Sequence, residues 1–101
     1  MAPLPRRSVS YEAGRNLARA VLLRAFRDAT AYVPDWSDTP EAKEDRAERE
    51  DARAFLLSDD PEVAELRRLW YRLAERPEPT REKVNEILER YAAQVAAEEV
   101  Q

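Results

Sequence analysis

A single glycine, Gly14, stands in 101 residues, and this excludes most all-β architectures. Tight hairpins take glycine at positive φ, and a sheet of several strands would need several of them. The prolines Pro34, Pro40, Pro61, Pro77 and Pro79 instead bound segments whose apolar residues recur every three or four positions. That is helical spacing. The abundant residues are Ala, Arg, Glu and Leu, all strong helix formers. The sequence predicts an all-α fold, and its length fits one domain.

The stretch from Asp60 to Leu73 is the expected hub. Val63, Leu66, Trp70 and Leu73 share one helical face. Pro61 suits a first helical position, Asp60 an N-cap, and Glu62 the positive end of the helix dipole. Arg76-Pro77-Glu78-Pro79 ends the segment, so a helix over 61–75 is predicted. Burial of Trp70 would make Trp70→Ala cost about 3–5 kcal/mol.

Three further helices flank it. Residues 1–9 hold Pro3, Pro5 and Arg6-Arg7 and read as a flexible basic tail, with residues 10–101 as the helical domain. A first helix over 10–32 follows. Its face of Tyr11, Gly14, Ala18, Val21, Leu22, Ala25, Ala29 and Tyr32 is mostly small and predicts close packing. Pro34 closes that segment, because a residue before proline avoids the α region. Thr39-Pro40-Glu41 opens a second helix, to about Leu57, with alanine as its only apolar residue before Ala54-Phe55-Leu56-Leu57. This helix is expected to be charged and partly splayed, docking only at its end. Thr80 caps a last helix over 81–98, with Val84, Ile87, Leu88, Tyr91 and Val95 as its stripe. The expected architecture is a small four-helix domain in which the first, third and fourth helices share a core. Trp70, Leu66, Val84, Leu88, Tyr91, Val21 and Ala25 are its predicted buried residues.

Charge is segregated. Residues 1–34 hold six Arg against Glu12 and Asp28, for +4. Residues 35–51 hold eight acids against Lys43, Arg46 and Arg49, for −5. The chain as a whole is at −4. Such polarity can steer a partner or hold the two parts together.

Catalytic chemistry finds little to work with. Histidine and cysteine are absent, so no Ser/His/Asp or Cys/His arrangement and no HExxH motif can form. One glycine cannot build a phosphate-cradling loop. Asp35, Asp38, Glu41, Glu44 and Asp45 offer oxygen ligands for Mg²⁺ or Ca²⁺, but their spacing matches no calcium loop. They read as a solvated helix start. No enzyme activity, cofactor or metal is expected. No apolar run approaches the ~20 residues of a transmembrane helix, and no apolar signal core follows Arg6-Arg7. A cytoplasmic protein away from membranes is the expectation.

Two binding functions remain. In the first, another protein is the partner, and Trp36 with Asp38, Glu41, Glu44, Asp45 and Glu48 forms the docking surface. Tryptophan and tyrosine dominate interface hot spots, which also draws attention to Phe55, Tyr71 and Tyr91. In the second, the chain is a small DNA-binding regulator using Arg6, Arg7, Arg15 and Arg19 on phosphates. Net acidity weighs against the second.

The run Asp51-Ala52-Arg53-Ala54-Phe55-Leu56-Leu57-Ser58-Asp59-Asp60, followed by Leu69-Trp70-Tyr71-Arg72-Leu73-Ala74, resembles a loose group of small phage and prophage proteins. Their pattern is an aromatic-aliphatic pair, then Ser and an acid, then a Trp-containing helix. The likeness covers about a quarter of the chain. It implies a short protein made in a bacterial or phage-infected cell that modulates or inhibits a host machine. The chain departs from the pattern after Ala74, where Glu75-Arg76-Pro77-Glu78-Pro79 replaces a glycine-containing turn.

Overall fold

A computed structural model describes the backbone over residues 4–100 and the side chains over 11–99. The described residues form four helices and no strand: α1 (Leu4–Ala29), α2 (Pro40–Leu57), α3 (Pro61–Leu73) and α4 (Arg81–Val100). Local chemistry sets three of the starts. The Thr39 hydroxyl accepts from Ala42 N at 3.1 Å, Asp60 from Glu62 N at 2.9 Å, and Thr80 from Lys83 N at 3.2 Å. Each satisfies a backbone donor that the first turn leaves without a partner.

Helix α1 differs from expectation at both ends. It begins at Leu4, so residues 4–9 of the expected tail belong to its backbone, while 1–3 lie outside the described residues. It ends at Ala29, before the predicted Tyr32. Thr30 stops it: its hydroxyl donates to Phe26 O at 2.9 Å and Arg27 O at 3.2 Å.

The core has two parts, and α1 belongs to both. Ala25 and Ala29 of α1 pack with Leu56 of α2 and with Val84 and Leu88 of α4. Nearer its start, α1 offers Ala18 and Leu22 to Tyr71 and Ala74 of α3. Phe55 touches both clusters. The hub is therefore α1, and the small face predicted for it is the reason. Gly14 takes no part in that packing; a Cβ there would meet nothing within 4 Å.

Helix α3 is rotated from its predicted orientation. Leu66 is 48% exposed, and Trp70 is only partly buried. The buried residues of α3 are Ala64 and Tyr71, followed by Ala74 at its C-cap. Arg67 sets this rotation. It lies on the Ala64–Tyr71 face, and its guanidinium donates to Phe55 O at 3.1 Å and Ser58 O at 3.0 Å. It also pairs with Glu78 at 3.3 Å. Turning the leucine face inward would break all three contacts.

The expected splaying of α2 is also corrected. Ala42 is buried near its start, Leu56 is buried near its end, and α1–α2 is the most extensive helix pair. Charged side chains dock its middle: Arg46 donates to loop carbonyls, and Arg53 Nε to Ala29 O at 3.1 Å. The helix that leaves the core is α4. Val84 and Leu88 are buried, but no residue from Glu89 to Glu99 is, and Tyr91 is 51% exposed. The extents of 61 × 29 × 24 Å reflect this elongation.

Arginines complete the helix C-termini. Glycine usually supplies the left-handed cap, and this chain has none to spare. Arg53 serves the end of α1, Arg67 that of α2, and Arg19, donating to Ala74 O at 2.9 Å, that of α3. A cation there also complements the helix dipole. At the end of α3, Glu75 itself takes the left-handed conformation, with φ 54°. Arg76 N donates to Tyr71 O and Glu75 N to Arg72 O, the Schellman arrangement. A side chain in that conformation costs roughly 1–2 kcal/mol relative to glycine.

The Glu75 carboxylate accepts a hydrogen bond from the Tyr11 hydroxyl and pairs with Arg15 at 3.4 Å, which joins α1 to the end of α3. The Tyr11 bond, with help from Arg15, holds the Glu75 carboxyl below its ordinary value. A depressed carboxyl stabilises the fold above that ordinary value and loses its contribution as pH falls through the lowered one. Melting of the wild type should therefore drop more steeply below about pH 4.5 than melting of Tyr11→Phe. Parallel melting curves would show that the bond contributes nothing.

Candidate functional site

The connection between α1 and α2 is built as a rigid turn. Val33 is buried beneath it. Ser37 N donates to Pro34 O at 3.2 Å and closes the turn over Asp35 and Trp36. Arg46 reaches back from α2 and clamps both sides, donating to Pro34 O at 3.0 Å and Ser37 O at 2.8 Å. Two parallel bonds from one guanidinium fix orientation as well as distance. The Ser37 and Thr39 hydroxyls lie 3.4 Å apart, and Thr39 then caps α2. At the tip stands Trp36, 82% exposed. Its indole stands in solvent and covers none of the core.

The acids predicted beside it fall on one side of α2. At 100° per residue, Glu41, Glu44, Asp45 and Glu48 occupy an arc of about 100°. All four are exposed, as is Asp38 in the loop before them. Among the described residues none of the five forms an ion pair. Of the N-terminal arginines, Arg15 pairs with Glu75, Arg19 donates to Ala74 O, and Arg24 pairs with Asp28. Tryptophan and carboxylates therefore share one continuous stretch of chain. An exposed aromatic and a nearby run of exposed carboxylates can each contact a basic, partly apolar surface.

The alternative arginine surface is divided. Arg15 and Arg19 are committed to the end of α3 through the contacts above, and both are partly buried. The side chains of Arg6 and Arg7 lie outside the described residues. Among the described residues no group of three or more acidic side chains is placed to hold a metal ion. None of the described helices is long and apolar enough to cross a membrane.

The other aromatics separate by environment. Phe55 is partly buried between the two core clusters. Tyr71 is buried, its hydroxyl has no hydrogen-bond partner among the described residues, and burial is the main cause of its raised pKa. Tyr91 lines an open apolar groove of about 500 Å³ between α1 and α4, with Leu23, Phe26, Ile87 and Val95. Sequence spacing singles out neither Arg46 nor Val33, although they fix the turn. An arginine within a run of acids reads as solvated surface, and only the loop carbonyls distinguish it.

No family model, no curated protein and no solved structure matches the chain.

Proposed function

We propose that the chain is a non-enzymatic interaction module that docks on another protein through Trp36 and the acidic side of α2. The partner presents a basic surface with an apolar recess for the indole. The observation that carries this reading is Trp36, 82% exposed on a turn that Arg46 holds at two carbonyls. Holding the anchor rigid before binding lowers the ordering cost of association. The indole supplies affinity, and the carboxylates supply association rate and salt dependence. A basic surface that ordinarily meets nucleic acid fits this chemistry. The resemblance to small phage proteins extends this reading to a modulator or inhibitor of a bacterial host machine.

Immobilised chain should recover one stoichiometric protein from bacterial lysate, and Trp36→Ala should lose most of it. Trp36 is 82% exposed, so the variant should melt like the wild type. Equal recovery by the two proteins overturns the assignment of Trp36.

A further inference from the structure

Helix α3 carries a second apolar surface that the fold leaves uncovered. Leu66, Leu69 and Leu73 are 48%, 43% and 49% exposed. At 100° per residue they lie within about 60° of one another, a continuous stripe along the helix. The most amphipathic helix of the four thus turns its stripe to solvent. Trp36 and the acids of α2 are not part of it.

The charges around the stripe are ordered along its length. Glu62 and Glu65 stand at the N-terminal end of the helix and Arg72 in its last turn, with Arg68 between them; Arg76 follows the helix, beyond the left-handed Glu75. All five are exposed, and among the described residues none forms an ion pair. Within the helix, Glu65 and Arg72 are nearly symmetric about Leu69. Glu65 lies four before and Arg72 three after; Leu66 lies three before and Leu73 four after. In an antiparallel pair of α3 helices with a two-fold axis at Leu69, acid meets arginine on both sides of the axis. Leu66 then meets Leu73, and Leu69 meets its own copy. A parallel pair would set like charges together.

We infer that α3 is the interface of a homodimer, in which two copies of this chain pair antiparallel about Leu69. A two-fold contact uses one patch twice, so the patch must complement itself. This one does: a uniformly basic or acidic partner would match only one of its two ends. One helix face per subunit is a small interface, so association in the micromolar range is expected.

Sedimentation of the full chain across a concentration series tests this. The mass should rise from one chain to two. Leu69→Glu, which places two carboxylates at the axis, should hold the protein at one chain. Glu65→Arg and Arg72→Glu should each weaken association by about tenfold or more. The two changes combined in one chain rebuild the complementarity and should restore the dimer. All three positions are exposed, so circular dichroism should report unchanged helix content. Trp36→Ala should leave the dimer intact, which keeps this interface distinct from the docking surface. A wild-type chain that stays at one chain's mass up to its solubility limit overturns the homodimer and gives the stripe to a different protein. A dimer that none of the α3 changes weakens overturns it too, because pairing then uses another face, such as the α1–α4 groove. A combined variant no tighter than the single reversals contradicts the antiparallel register.

Discussion

Leu88→Ala should destabilise the protein by about 3 kcal/mol, within the range for emptying a closed leucine site. Leu88 is 2% exposed, the most enclosed large side chain among the described residues. It packs in the cluster that joins α1, α2 and α4. Its neighbours there are Ala25, Ala29, Leu56 and Val84, and two of these are alanines with no rotamers that could fill the space. Helix α4 reaches the core only through its first half, so Val84 alone would be left to anchor it among the buried residues. A domain of this length has a total stability of roughly 5–15 kcal/mol. Thermal melting should therefore fall by roughly 15 °C. Trp70→Ala should cost less than Leu88→Ala, because Trp70 is only partly buried. The sequence expectation of about 3–5 kcal/mol for Trp70→Ala rested on full burial. A larger loss from Trp70→Ala in urea denaturation would mean that the α1–α3 contact dominates the fold.

Arg67→Met should cost about 2–4 kcal/mol, although it keeps the side chain's length and apolar stem. The Arg67 side chain is 12% exposed and bonds two carbonyls and the Glu78 carboxylate. The variant leaves the end of α2 without its donor and Glu78 without its cation. Arg67→Lys should recover only part of the loss. An ammonium is a compact point charge and cannot reach three acceptors in the fixed geometry of a guanidinium. Urea denaturation of the wild type and the two variants checks this. An Arg67→Lys variant as stable as the wild type would show that charge alone is needed there.

Of these two sites, only Leu88 was legible in the sequence. The helix starts at Thr39-Pro40, Asp60-Pro61 and Thr80 were readable because a cap and its donors lie within three residues. Val84 and Leu88 were readable because the first turns of α4 follow simple helical spacing. The rotation of α3 was not. Its apolar stripe runs through Leu66, Leu69 and Leu73, yet Ala18 and Leu22 of α1 take Tyr71 and Ala74 instead. The docking of α2 was hidden for a related reason. Hydrophobic spacing cannot register an arginine that packs its stem and gives its guanidinium to carbonyls, as Arg46 and Arg53 do. The bond from Tyr11 to Glu75 joins positions far apart in sequence. In the candidate site, the acids were visible as a charge run and Trp36 as an aromatic between prolines. The clamp that presents Trp36 became visible only with the loop folded onto Arg46.

The docking surface depends on the acids of α2 facing outward for a partner and not inward for the fold. Replacing Glu41, Glu44, Asp45 and Glu48 together with lysine separates these roles in one protein. Its association rate with the captured partner is measured over a salt series beside its melting temperature. The charge-reversed protein should melt within a few degrees of the wild type. It should associate more slowly at low salt, with the difference shrinking as salt screens the interface. A large fall in melting temperature with partner association unchanged would contradict the proposed docking surface and assign the acids to the fold.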